Sequence, residues 1–189
     1  MVFDKRVSYE IILLRSTHNY LLSKRHSNFV LDQAIDIILR AIIGQGDSVI
    51  IPKPSFPIFE QSAHIQGAKI ISPHYKGEDL DFPFEETMGA IKKGVRLVII
   101  CNPNNPTGTI MPRGQIERIV SVFPGLVVLD EAYGEFADSE GIPSSIDLVK
   151  AGAQNVLVLR TFSKAFGAAG IRLGYGIASE QIIGTLLRM

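Results

Sequence analysis

Lys164 stands in the run Thr161-Phe162-Ser163-Lys164-Ala165-Phe166, and Arg172 follows a few residues later. Hydroxyl side chains crowd around one amine just past an apolar strand, which suits an amine that holds a phosphorylated aldehyde. A lysine is a useful nucleophile only when its neutral form is accessible, so it needs a partly desolvated setting or cationic neighbours. Arg172 is such a neighbour, and its fork can also meet a phosphate with two parallel charge-assisted hydrogen bonds.

Two further segments fit the same chemistry. Asn102-Pro103-Asn104-Asn105-Pro106-Thr107-Gly108 follows the apolar run from Leu97 to Cys101, and Asp130-Glu131-Ala132-Tyr133 follows the run from Leu126 to Leu129. In open parallel sheets ligands collect beyond the carboxyl ends of the strands. An amide, a carboxylate with a phenol, and a lysine with hydroxyls are thus offered to one crevice. Other uses of these residues stay open. Asn105 before Pro106 also suits a turn, with an X-Pro bond that can be cis. Phe56 stands at the start of a helix with Phe59 one turn on, a spacing common in core packing. Glu131 reads as a local cap or pair, and Cys101 as a small hydrophobe ending a strand. His18, His26, His64 and His74 are scattered without metal-ligand spacing, and the single cysteine completes no zinc site, so no metal is expected.

The elements that must position these groups alternate along the chain. Asp32 to Ile43 carries Ile35, Ile38, Leu39 and Ile42 on one stripe, which predicts a helix with Asp32 as N-cap. Ser48 to Ile51, Lys69 to Ser72, Arg96 to Cys101, Leu126 to Leu129, Asn155 to Leu159 and a glycine-broken stretch from Ile171 to Ala178 read as strands. Ile58 to Gln66, Phe84 to Lys93, Pro112 to Phe123, Ser144 to Ala151 and Ser179 to Leu187 read as helices. Gly77 to Pro83 reads as a loop. Continuous apolar strands alternating with helices predict an α/β fold of three layers, a mostly parallel sheet flanked by helices.

Composition narrows the partners. The chain has 189 residues, of which 46% are hydrophobic, enough for one substantial core. Its formal net charge is zero, which argues against nucleic acid and for a small-molecule partner. One cysteine excludes an internal disulfide framework and suits a reducing cytoplasm. No apolar run approaches the roughly 20 residues that span a bilayer, so no membrane partner is expected. The apolar stretch within Glu10 to Leu14 is too short for a secretory signal.

Taken together, N-P-N-N-P-T-G, D-E-A-Y and T-F-S-K-A-F-G-A-A-G-I-R-L-G-Y resemble the fold type I, pyridoxal-phosphate-dependent aminotransferases of class I/II, most of all the histidinol-phosphate aminotransferase branch. The resemblance runs from about Asp32 to the C-terminus, so residues 32–189 are expected to form the large-domain core that binds the cofactor. It implies that Lys164 forms a Schiff base with pyridoxal 5'-phosphate. It implies also that Asp130 pairs with the pyridine nitrogen and that Tyr133 and Asn105 hydrogen-bond the phenolic oxygen. Thr161, Ser163 and Arg172 resemble the phosphate-binding positions, and Phe56 the aromatic that stacks on the ring. Where the family has a Gly-Ser/Ala-Asp-Glu-like turn for the phosphate, this chain has Val30-Leu31-Asp32-Gln33. Asp32 matches, whereas valine disfavours positive φ and leucine brings no hydroxyl.

The implied activity is transfer of an amino group between an amino acid, or histidinol phosphate, and a 2-oxo acid, as in histidine biosynthesis, by a homodimer. A non-catalytic cofactor-binding remnant or piece of a larger aminotransferase is the alternative, because the family's C-terminal small domain is expected to be absent; decarboxylase or lyase chemistry would use the same Lys164 and Asp130. Residues 1–31 fit the family less well. Three readings of Met1 to Phe29 stay open: a helix packed on the sheet, a divergent interface arm, or sequence that fills the gap.

Overall fold

A computed structural model describes residues 9–15, 30–91 and 94–189. Its centre is a seven-stranded sheet. The strands are β1 (Tyr9–Arg15), β2 (Ser48–Ile50), β3 (Lys69–Ile71), β4 (Val95–Cys101), β5 (Leu126–Asp130), β6 (Val156–Thr161) and β7 (Leu173–Ser179), in the order β1-β7-β6-β5-β4-β2-β3. Pairings β2 with β3, β2 with β4, β4 with β5 and β5 with β6 are parallel. β7 is antiparallel to both β6 and β1, so among the described strands it alone runs against the rest.

Each inner strand is apolar on both faces, and the side-chain period of two deals its residues to two cores. Val49, Leu97, Ile99, Val128, Leu157, Leu159 and Ala178 join one cluster, under α1 (Val30–Ile42), α2 (Pro57–Ile65) and α7 (Glu180–Leu186). Ile50, Val98, Ile100, Val127, Leu129, Val156, Val158 and Ile177 join the other. That second core lies under α3 (Phe84–Ala90), α4 (Arg113–Val122) and α6 (Ile146–Lys150), through Phe84, Met88, Ile116, Ile119 and Val149. The short helix α5 (Gly134–Ser139) follows β5. The three-layer, mostly parallel architecture expected from the alternating pattern is thus the one observed.

Several boundaries differ from expectation for local reasons. α1 begins at Val30, so Asp32 lies in its first turn and is not the N-cap. An acid there is still favoured, because it faces the unpaired amides of the helix start. Val30 is helical, so the valine needs no positive φ. The strand expected from Ile171 starts instead at Leu173, because Ala169–Ile171 form a 3-10 turn and Arg172 takes a left-handed conformation, φ 53° and ψ 55°.

Residues 9–15, for which helix, arm and filler stood open, form a strand whose register with β7 runs from Tyr9 opposite Ser179 to Arg15 opposite Leu173. The run Tyr9-Glu10-Ile11-Ile12-Leu13-Leu14-Arg15 is too apolar and β-branched to favour solvent, and the open edge of β7 offers it a full ladder. The rest of Met1 to Phe29 lies outside the described residues.

Candidate active site

Parity along the strands selects what reaches the crevice. Cys101, Asp130 and Thr161 end β4, β5 and β6 on the face of α1, as Ile99, Val128 and Leu159 do two residues earlier. Cys101 is the register partner of Asp130, and Asp130 that of Leu159. The reversed direction of β7 matters here. Because it starts where β6 ends, with Thr161 opposite Gly174, Arg172 enters at the same edge as the parallel strands' carboxyl ends.

Beyond that edge lies a cavity of about 260 Å³. It is lined by Asp32, Phe56, Asn105, Asp130, Tyr133, Thr161, Ser163, Lys164 and Arg172, the full set singled out from the sequence, together with Leu31, Cys101, Ala132 and Ala169. The volume is just under the range usual for small-molecule sites, about 300–1,000 Å³.

Asp130 is 3% exposed, and its Oδ1 accepts a hydrogen bond from the Ala132 amide at 3.0 Å. Burial pushes its carboxyl up to about 7, helped by the like charges of Asp32 and Glu131 and opposed by that amide and by Lys164. A buried acid held near neutrality in this way is short of a counter-cation. Asp32 is also raised, first by burial, with Arg172 and Lys164 pulling the other way.

Lys164 is exposed rather than desolvated, and its Nζ lies 5.3 Å from the centroid of the Tyr133 ring. That is within cation–π range. Thr161 is buried; its Oγ1 accepts from the Ser163 amide at 3.1 Å and donates to the Leu173 carbonyl at 3.4 Å. Arg172 is half-buried and donates from Nη1 to the Ala169 carbonyl at 2.7 Å. Its positive φ, which costs a non-glycine residue about 1–2 kcal/mol, is strain of the kind found at functional sites. The start of α1 adds amides and the positive end of a helix dipole beside Leu31 and Asp32.

Phe56 is half-buried at the mouth of α2. It lines the cavity and also meets Phe59 edge-on, with ring centroids 5.8 Å apart. The Asn105-Pro106 bond is cis, as are Asn102-Pro103 and Lys53-Pro54. Cys101 is buried, donates from Sγ to the Pro103 carbonyl at 3.3 Å, and is pushed well above the ordinary thiol range by burial and then by Asp130. It is the inert hydrophobe expected.

Sequence reasoning passed over Asn104 and Asn102. Asn104 is 3% exposed; its Nδ2 donates to the Pro54 carbonyl at 3.0 Å and to Thr107 Oγ1 at 2.8 Å, and its Oδ1 accepts from Ser55 Oγ at 3.2 Å. It fastens the loop that carries Phe56 to the loop that carries Asn105. Asn102 Oδ1 accepts from the Met111 amide at 2.7 Å, closing the same loop from the other end. Three amides in one short segment signal such bonding, since buried polar groups require partners. Glu131, read as a local cap or pair, is instead buried against the sequence-remote Arg160, whose Nη2 lies 2.9 Å from its Oε2, because β5 and β6 are neighbours in the sheet.

The arrangement suits a ligand with an anionic end, met by Arg172, the two hydroxyls and the start of α1, and a protonated nitrogen, met by Asp130. The amine of Lys164 and the Phe56 ring complete it. Among the described residues no helix is long and apolar enough to cross a membrane.

A profile of aminotransferase class I and II matches residues 29–189. The histidinol-phosphate aminotransferase of Cytophaga hutchinsonii is 41% identical over 157 residues, covering 82% of this chain and 43% of its own length. That of Methanocaldococcus jannaschii is 40% identical, covering 84% and 42%. The histidinol-phosphate aminotransferase of Sinorhizobium meliloti, solved in complex with pyridoxal-5'-phosphate, superposes with a TM-score of 0.77 at 25% identity, covering 95% of this chain and 45% of that one. The chain thus spans under half the length of these relatives. With the profile match covering most of its residues, the chain belongs to the class I and II aminotransferase family.

Proposed function

We propose that this chain holds pyridoxal 5'-phosphate in the cavity at the carboxyl edge of its sheet and serves transamination, with an amino acid or histidinol phosphate as donor and a 2-oxo acid as acceptor. The observation that carries this reading is the convergence of Asp130, Lys164 and Arg172 on one cavity. The donor set fits the cofactor. Arg172, Thr161 and Ser163 are the chemistry of a phosphate cup, and the raised carboxyl of Asp130 is the chemistry of an acid waiting for a pyridinium.

The cofactor, when bound, supplies the electron sink that stabilises a carbanion at the α-carbon of an amino acid. This chain's residues do the rest. Lys164 would hold the cofactor through Nζ and, with that amine free, would take and return a proton as general base. Asp130 would keep the ring nitrogen protonated. Tyr133 and Asn105 would donate to the ring oxygen, Phe56 would stack on the ring, and Asp32 and the start of α1 would serve the phosphate end.

A homodimer in the cytoplasm is the setting we assign to it, by the resemblance. The family alternative, a cofactor-binding piece without turnover, is distinguished by the same experiment. Mixing the chain with pyridoxal 5'-phosphate is expected to produce a visible absorption band, and borohydride reduction to fix the cofactor's mass on Lys164. Lys164→Ala should abolish both. A Lys164→Ala protein that is still labelled at the same yield removes the assignment. Bleaching of the band by an amino donor marks transamination, and a band that no donor bleaches marks the binding-only reading.

A further inference from the structure

On the face of the sheet away from the cavity, Arg160 of β6 is 4% exposed and gathers three carboxylates. Its Nε and Nη2 donate to Glu131 Oε2 at 3.1 and 2.9 Å. Its Nη1 and Nη2 donate to Asp138 Oδ2 and Oδ1 at 2.6 and 3.2 Å, and its Nη1 also reaches Glu135 Oε1 at 3.3 Å. Burial works against the guanidinium charge, but Asp138 and Glu131 outweigh it and hold the group firmly protonated. Glu131 also accepts from Ser144 Oγ at the same Oε2 and from the Ser145 amide at Oε1, each at 2.7 Å.

The sequence positions of these contacts are what give them meaning. Glu131 follows Asp130, and Glu135 and Asp138 follow Tyr133, so the guanidinium grips the chain just after each of the two ring-contacting residues proposed above, and on both sides of Tyr133. Gly134 lies directly over it: a Cβ there would sit 2.8 Å from Arg160 Cζ and Nη2. Thr161, next to Arg160, points into the cavity with the opposite parity. One strand therefore carries the phosphate-side hydroxyl on one face and the clamp for the Asp130–Tyr133 turn on the other.

We infer that Arg160 is a positioning residue, which acts through Glu131, Glu135 and Asp138 to fix the Asp130–Tyr133 turn against the strand that leads to Ser163 and Lys164. Planar, multi-pronged recognition of three carboxylates is a task for arginine rather than for a point-charge ammonium. The role of the turn in the site rests on the reading of the cavity as a pyridoxal-phosphate site. The clamp itself does not.

The test uses Arg160→Lys, which keeps the charge and loses the fork, and Arg160→Met. Hydrogen exchange of the full chain without cofactor is followed in residues 131–139 and, as an internal control, in α4. Expected is a rise of about tenfold or more in exchange of 131–139, with α4 unchanged in Arg160→Lys, and a loss of pyridoxal 5'-phosphate affinity of about tenfold, the low end for losing a supporting contact. Exchange that rises equally in both segments, or not at all, overturns the inference. So does local loosening in Arg160→Lys with affinity unchanged. Should Arg160→Met fail to fold, Glu131→Gln gives the same comparison from the other partner. If the wild-type chain takes up no cofactor at Lys164, the functional reading fails, and the exchange comparison still decides whether Arg160 holds the turn.

Discussion

Asp130 and Glu131 are neighbours in the chain and face opposite sides of the sheet. Asp130 has the parity of Val128 and looks into the cavity, whereas Glu131 has the parity of Leu129 and meets Arg160 at 2.9 Å. Glu131→Ala would leave Arg160 with Asp138 and Glu135, so its charge stays paired, but the guanidinium, the Ser144 hydroxyl and the buried Ser145 amide would all lose their bonds to Glu131. The variant is therefore expected to lower unfolding stability by about 1–3 kcal/mol in urea at pH 7. A loss well under 1 kcal/mol would mean that the pair is wet.

Asp130 should leave a signature in the pH dependence of stability. Its folded-state carboxyl sits at about 7, above the unfolded value of 3.8, so between those values the folded chain binds the extra proton. Stability without cofactor should then fall as pH rises from about 4 to 7, by up to roughly 4 kcal/mol from this group, and level off above it. Asp32 has the same sign. Asp130→Asn keeps an acceptor for the Ala132 amide and removes the titration, so the difference between wild-type and variant stability, measured across that range, should carry the slope. A difference that stays constant with pH contradicts the buried acid.

Gly134→Ala should be costly although alanine favours a helix. The added methyl would meet the Arg160 guanidinium at 2.8 Å, and that group is held by its carboxylates. Overpacking of this sort costs about 1–3 kcal/mol, to be read from the urea midpoint. An unchanged midpoint would show that the guanidinium yields freely.

Asn104→Ala removes two hydrogen bonds that join the loops of Phe56 and Asn105, and a third to Thr107 within the latter loop. The Pro54 carbonyl and the Ser55 and Thr107 hydroxyls lose their bonds to it, at a cost of about 1–3 kcal/mol. Hydrogen exchange at Ser55 and Phe56 should rise relative to the core of α2. Unchanged exchange there would mean that the loop holds without the staple.

The three strand-end motifs were legible because each follows an uninterrupted apolar run, and a strand buried on both faces has its polar continuation only at its end. Strand parity then placed Asp130, Cys101 and Thr161 on one face. α5 was not legible. Gly134-Glu135-Phe136-Ala137-Asp138-Ser139 has no apolar stripe, buries only Gly134 and Ala137, and is held by ion pairs to Arg160, which is remote in sequence. β1 was missed for a related reason, because its partner β7 lies at the far end of the chain. The left-handed turn at Arg172 had no marker either, since glycine, the residue that announces such a turn, is absent from that position.

The reversal of β7 also bears on how the pocket assembles. Its antiparallel pairing with β6 needs only the excursion 162–172 to close, and that excursion carries both Lys164 and Arg172. Asp130, Asn105 and Phe56 must instead wait for long helical crossovers, whose closure entropy is larger. Lys164 and Arg172 are thus encoded in a near-local hairpin, and the half of the cavity lined by Asp130, Asn105 and Phe56 is completed by the docking of its parallel neighbours.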